Sequence, residues 1–539
     1  MARARHLCVP SVFLCFTIGL LAEEPKIARE LLIQDTRQLA QILESAHPDP
    51  YSFGGGKIEF HKRMQKVLVS IPAEGLTVME FYKLLLPFVA AVGDGHTFVW
   101  LPSANEEKKS GIPLGFDVVE QALYVSRVYR EQDKALLGAK LAGVEGVTFA
   151  ELVKRSGNLR GWDNEYHRLA ALSMQLASRN TLELLLPEWN HKQLIRVSLV
   201  LPNGKLREVA FSLTEQRGDA RVPPSKVSWP NPPQGTQFDY WFFDPQKTVC
   251  ILRITRMTAF QERFAEGGGW AEQAVKEAYE KLYGKPARES FAETLAAIPS
   301  AWEFFQKMAE EMKEAKSKAL IVDLRENPGG STMFNIFLLR ALYGHEKLWP
   351  EELLEKVGEG QSITKYSELY LSQGTADEFV EASKAIPFPL TNEDYDFRDI
   401  PGFYGPDGEE EESPDGEGRG AAEVSGPIYR PQHVVVVSST WTYSAAYHLM
   451  LQLYRLGARL VGVPSAQAGN CFGSASVVTL KNSGIKAQVS HKQLLFFPND
   501  PEKARVLRPH RELTYRQLKK WNFDPHAGIL LALEEIRKH

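Results

Sequence analysis

Three short apolar runs, each followed by a helix-forming stretch, constrain this chain more than anything else in it. They read TVCILRI, ALIVDLR and VVVVSS, and the segments between and after them, SAWEFFQKMAEEMKEAKS, STMFNIFLLRAL and AAYHLMLQLYRLG, carry apolar residues at helical spacing. A continuous β-branched run of this length suits a strand buried on both faces, and strands alternating with helices imply a layered, largely parallel sheet. From about residue 238 the chain is therefore expected to be α/β. The third run ends on a hydroxyl-bearing turn at Ser444, which opens the next helix, so backbone N–H groups and the positive helix end would surround an oxyanion formed there. Strand, Ser/Thr turn and helix also describe an ordinary N-cap.

At 539 residues the chain exceeds what one core supports, and two or three domains are expected. Upstream of 238 the pattern changes twice. RELLIQDTRQLAQILESAH and MEFYKLLLPFVAAV are helical, with Gly54-Gly55-Gly56 between them, and the region ends at Gly93-Asp94-Gly95-His96-Thr97. Residues from about 110 to 215 contain short strands, a helix and a hairpin turning at Asn203-Gly204, a small β-rich module. A Pro-rich stretch, VPPSKVSWPNPPQG, links this module to the α/β part. A helical insertion spans 267–298, and a second, acidic insertion spans 345–430.

MARARHLCVPSVFLCFTIGLLAEEPK has a basic start, an apolar stretch too short to span a bilayer, and an acidic end, the order of a secretory signal over 1–22. The mature protein is then secreted or periplasmic, with no stable membrane insertion. A formal charge of -4 without a basic stripe argues against a nucleic-acid partner. Beyond the leader only Cys250 and Cys471 remain, too few for a disulfide scaffold or a thiolate zinc site.

ALIVDLRENPGGS breaks at Asn327-Pro328-Gly329-Gly330, where consecutive glycines let N–H groups approach a carbonyl oxygen, although a tight strand-to-helix turn reads the same way. A serine hydroxyl needs a base. His96, flanked by Gly95 and Thr97 on a short loop, is the first candidate, and His448, one helical turn after Ser444, the second; His47 reads as a packing histidine.

Together GDGHT, DLRENPGG and TYSAAY, in that order, resemble the serine peptidases of the tricorn and carboxy-terminal processing protease family, in its tricorn-like branch and as a secreted bacterial member. The resemblance extends over nearly the whole mature chain. It implies a ClpP/crotonase-like α/β core at 236–539, an N-terminal helical subdomain at 26–105 and a PDZ-like module at 108–215. It further implies peptide-bond hydrolysis through an acyl-enzyme, with Ser444 as nucleophile, His96 as base, and backbone N–H groups of Ala445 and of Gly329 or Gly330 as the oxyanion hole. Processing proteases carry a lysine 25 residues after the serine; this chain has Gly469 there, so no Ser/Lys pair is available. The chain also departs from the family pattern at Gly95, Tyr447 and His510, and a supporting acid could be Glu502 or Glu512. No metal or other cofactor is expected, and the partner is a peptide or protein substrate. Two other readings remain: a non-catalytic peptide- or lipid-binding protein on the same scaffold, and a metal-dependent hydrolase on His47, Asp49, Asp94 and His96, which lack a helix-spaced ligand pair.

Overall fold

The computed structural model describes residues 24–100, 102, 111–189, 193–213, 220–230, 236–265, 269–344, 363–366 and 426–538. The leader at 1–22 and most of the acidic insertion at 345–430 lie outside these residues.

The apolar runs form one six-stranded sheet. Its spatial order is Phe238–Phe242, Val249–Ile254, Ala319–Asp323, His433–Ser438, Arg459–Gly462 and Arg511–Glu512, the same as the order along the chain. The last five pair in parallel, and only the edge strand Phe238–Phe242 is antiparallel to its neighbour. Side chains on a strand alternate between faces, so each valine run feeds two cores. Leu252, Leu320, Val322, Val434, Val436 and Leu460 point to one face, where helices Ala301–Ala315, Met333–Tyr343 and Ala445–Arg455 cover them. Ile251, Ile321, Val435, Val437 and Val461 point to the other, against Ala527–Ile536. Helix Ala301–Ala315 buries Ala301, Phe305, Met308, Ala309 and Met312, the three- and four-residue spacing of a single stripe, and Ser300 caps its start by accepting from the Glu303 N–H.

A second sheet matters more for position. Strands Asn470–Thr479 and Lys486–Leu495 form a long antiparallel hairpin, and the two-residue strand Phe98–Val99 adds to it with Phe98 opposite Gln488. This pairing brings a loop from the amino-terminal region onto the α/β core. Helices Arg29–Ala46, Lys57–Ser70 and Val78–Ala90 pack around the same hairpin, with Leu39, Phe81 and Leu85 in one apolar cluster with Leu480, Ile485 and Val489.

Strands Leu114–Val119, Ala122–Val128, Lys140–Val144, Leu194–Val200 and Leu206–Ser212, with the short Val147–Thr148 paired beside Lys140–Val144, form a six-stranded antiparallel sheet around a separate apolar cluster. The last two are the expected hairpin, with Val200 opposite Leu206 and Gly204 at a φ of 85° in the turn. Helices Phe149–Leu159 and Glu165–Ala177 close this cluster. Asn164, at the start of the second, donates through Nδ2 to the Ser465 carbonyl at 3.1 Å and so ties the module to the core.

Candidate active site

The strand His433–Ser438 delivers the turn Ser439–Tyr443 to its carboxyl end. Two hydroxyls pin this turn to the neighbouring strand's exit: Thr442 Oγ1 donates to the Leu324 carbonyl at 2.8 Å, and Ser439 Oγ to the Arg325 carbonyl at 2.5 Å. Ser444 then adopts φ 54° and ψ -127°, a left-handed conformation that costs an L-residue energy and persists only where its surroundings impose it. The imposing group is Gln467, buried, whose Oε1 accepts from the Ser444 N–H at 2.6 Å. The Ser444 side chain makes no capping bond to helix Ala445–Arg455, so the ordinary N-cap reading of this serine does not hold. Among the described residues its Oγ has no hydrogen-bond partner.

Gly329 lies directly against this serine. A Cβ at Gly329, itself at φ 101°, would come within 2.7 Å of Ser444 Cβ and 2.8 Å of the Ala445 nitrogen. The Gly329 N–H donates to Asn327 Oδ1 at 2.8 Å and is thus occupied. The N–H groups of Gly330 and Ala445 have no acceptor among the described residues; that of Ala445 is one of the unpaired donors at a helix start. Gly330 turns its Cα toward Met257, where a Cβ would meet the carbonyl oxygen at 2.1 Å.

His96 reaches this corner from 348 positions upstream of Ser444. Its ring packs against Tyr443, the residue before the serine, with centroids 4.7 Å apart and Nδ1 3.3 Å from the Tyr443 hydroxyl. Its backbone is held by Gln488, which donates to the His96 carbonyl at 2.8 Å, and the Ser490 N–H donates to Thr97 Oγ1 at 3.0 Å. His96 and Ser444 are not hydrogen-bonded to each other. Nε2 makes no hydrogen bond of good geometry, although the Phe472 backbone lies near enough to favour the charged ring. Burial pushes the His96 imidazole below its ordinary value, against the pull of Asp94.

The acids around His96 are ones the sequence reading did not assign to its support. The Asp94 carboxylate lies 3.9 Å from His96 Nδ1, accepts from the His96 backbone N–H at 2.8 Å and contacts His47 Nε2 at 3.3 Å. Burial alone would raise its pKa; the bond and charge of His47 and the charge of His96 outweigh it and hold the carboxyl well below the usual range. Asp163, at the start of the β-rich module's second helix, accepts from the Tyr443 hydroxyl at 2.7 Å and from the Gly95 N–H at 2.7 Å. Burial, then the Asp94 charge, pushes Asp163 up to about 7. Nothing local in Trp162-Asp163-Asn164 signals this role. By contrast, Glu512 pairs with Arg508 at 2.8 Å and Glu502 stands exposed on a short helix, so neither supports His96.

The departures from the family pattern have structural reasons. A Cβ at Gly95 would sit 2.1 Å from His167 Cε1 and 2.4 Å from the Tyr443 hydroxyl, leaving no room for a serine. Tyr447 is buried in the core near Phe496. His510 accepts from the Leu460 N–H at 2.9 Å. His448, the second candidate base, is pushed down to about 3 by burial and the neighbouring His96 charge. Cys250 and Cys471 are free and buried, and Gln467 Nε2 contacts Cys471 Sγ at 3.3 Å.

A turn that strains a serine at the carboxyl end of a parallel strand, faces it with glycines and packs a loop histidine on the residue before it is an arrangement a serine hydrolase can use. The model of peptidase family S41 matches residues 251–494. That match spans under half of the chain and supports a serine-type peptidase with a ClpP-like α/β core and a PDZ-like module. Among solved structures it is similar to mature CPAF, at 16% identity and a TM-score of 0.53, with 93% of this chain and 96% of that chain covered. Mature CPAF complexed with lactacystin matches at 15% identity and a TM-score of 0.54, covering 95% and 99%. The photosystem II D1 C-terminal processing protease matches at 14% identity and a TM-score of 0.40, covering 91% and 94%. At these identities the likeness to CPAF is one of fold. No curated protein matches the chain. No helix among the described residues is long and apolar enough to cross a membrane.

Proposed function

We propose that this protein is a secreted serine endopeptidase or peptide-trimming hydrolase that uses Ser444 as nucleophile and His96 as general base. One observation carries the reading: the His96 ring rests on Tyr443, next in the chain to a strained serine whose hydroxyl has no hydrogen-bond partner among the described residues. The missing Ser444–His96 hydrogen bond is compatible with it, because such bonds are often long before substrate binds and tighten in the Michaelis complex.

In this mechanism His96 takes the Ser444 proton as Oγ attacks the scissile carbonyl carbon. Nε2, without a well-formed bond, is the nitrogen available for it. The oxyanion accepts from the Ala445 and Gly330 N–H groups, each worth about 3 kcal/mol in the transition state. The tetrahedral intermediate collapses to the acyl-enzyme as His96 returns the proton to the departing amine. A water, deprotonated by His96, then hydrolyses the ester. Tyr443 and Asp163 hold the ring: with Asp163 accepting from the Tyr443 hydroxyl, that oxygen is turned to receive the Nδ1–H, which leaves Nε2 basic.

A fluorophosphonate probe is expected to label the purified mature protein, and Ser444→Ala to abolish labelling. His96→Gln should slow labelling by about 10²–10⁴-fold, the ordinary contribution of a positioned base. A correctly folded wild type that stays unlabelled ends this reading and leaves the non-catalytic binder. For the leader, amino-terminal sequencing of the exported protein should begin after Ala22.

A further inference from the structure

A cavity of about 520 Å³ opens between helices Lys57–Ser70 and Val78–Ala90 and helix Phe149–Leu159 of the antiparallel module. Its charged lining consists of Arg63, Lys66, Lys83, Lys154 and Arg168, without one acidic side chain. That is five cations in one cavity of a chain whose formal charge is -4. The acids beside these cations are outside the lining and make their close bonds mostly elsewhere, although the charges of Glu59 and Glu80 also reach Arg63 and Lys83. Glu59 pairs with Lys62 at 2.7 Å, and Glu80 closes its helix cap on the Thr77 N–H at 2.9 Å. Glu151 is shared between Arg155 at 3.3 Å and Lys154 at 3.7 Å. Among the described residues, Arg63, Lys66, Lys83 and Arg168 have no ion-pair partner.

Unpaired like charges converging on one space repel each other, and an anion relieves that repulsion. The cavity also presents aromatic surface. Phe53, half exposed, meets Trp162 edge to face at 5.0 Å, and the Arg168 guanidinium lies 4.8 Å over the Trp162 ring. Arg168 spends one nitrogen on the Val153 carbonyl at 3.2 Å, while its Nε is buried without an acceptor. Gly157 makes room for it: a Cβ there would stand 3.3 Å from that nitrogen and 3.1 Å from Trp162 Nε1.

We infer that this cavity binds an aromatic phosphate ester, with the phosphate among Lys66, Lys83 and Arg168 and the ring against Phe53 and Trp162. Several cations without a close ion pair favour a multiply charged head over a single carboxylate, and a cavity of this size at a junction between packed units holds a ligand of nucleotide dimensions. Neither Ser444 nor His96 lines this cavity, and the inference does not depend on the catalytic reading.

Isothermal titration of the full mature chain tests it with two pairs of probes, adenosine diphosphate against adenosine and 1-naphthyl phosphate against 1-naphthol. At least one phosphate ester should bind saturably, one per chain, tenfold or more tighter than its neutral counterpart, and more weakly in 0.5 M salt than in 0.05 M. Lys66 and Lys83 are exposed, so the double variant Lys66→Glu, Lys83→Glu should keep the wild-type circular dichroism and melting temperature while losing tenfold or more in affinity. Arg168→Gln should show the same loss independently. Binding of neither ester, equal binding of the neutral compounds, or unchanged affinity in both variants overturns the site. Inorganic pyrophosphate binding as tightly as either ester overturns its aromatic half.

Discussion

His96 shows how one residue's surroundings set its chemistry. Burial, which disfavours the imidazolium, dominates over the opposing charge of Asp94, so the ring is neutral at pH values where a solvent-exposed histidine is half protonated. A base must be neutral to accept a proton. The acid limb of kcat/KM for a peptide substrate is therefore expected to have its midpoint below pH 6.5, and a midpoint above 7 would remove His96 as the base. Asp163 has the opposite sign. Its carboxyl, raised to about 7, binds a proton more tightly folded than unfolded. That contribution to stability is fully present below the unfolded carboxyl range and is lost as pH rises toward 7. Asparagine does not ionise, so the melting temperature of Asp163→Asn should gain on the wild type between pH 5 and pH 8. The same variant should lower kcat more than it raises KM, since Asp163 acts through Tyr443 and not on substrate. At Gly95 the argument is steric. Overlaps of 2.1 and 2.4 Å around an added Cβ mean that Gly95→Ser must displace Tyr443 or His167, and activity should fall at least tenfold with Ser444 untouched.

At the scale of elements, the strand runs were readable because a two-residue period leaves no choice of face. Leu320 and Val322 point to one core and Ile321 to the other, and all three are fully buried. Leu320→Ala is expected to cost about 2–5 kcal/mol, measured by denaturant unfolding. The turn between His433–Ser438 and Ala445–Arg455 was readable only in outline. Hydroxyls suggested either a site or a cap, and nothing in SSTWTYS distinguishes the two. The choice depends on Gln467, 23 positions on, which takes the Ser444 N–H, while the side chain makes no capping bond to its helix. Gln467→Ala removes that acceptor from a part-buried donor, a loss of about 1 kcal/mol. The serine should relax from its left-handed conformation, and fluorophosphonate labelling should slow while the fold is retained.

For the whole molecule, the proposed use of His96 requires that the amino-terminal helices stay docked on the core hairpin. Asp35, fully buried on the first helix, makes much of this junction: its carboxylate accepts from the N–H groups of Asn482 and Ser483 at 3.0 and 2.7 Å, and from Asn482 Nδ2 at 2.8 Å. Asp35→Ala leaves those donors without partners far from Ser444. Limited proteolysis should then cut between the helices and the core, and kcat should drop although every residue around Ser444 is intact.

By itself the sequence determined what local pattern determines: an α/β core from period-two runs, amphipathic helices upstream, an Asn-Gly hairpin, and a serine and two glycines at strand ends. Its family resemblance singled out His96 among thirteen histidines. Only the tertiary structure decided what surrounds that histidine. Around His96 and Ser444, Tyr443, Asp163 and Gln467 come from three separate stretches of chain, and the carboxylates nearest the histidine are those of Asp94 and, through Tyr443, Asp163. Local pattern encodes which face of an element is apolar; it does not encode which polar groups from distant elements meet once those faces are buried.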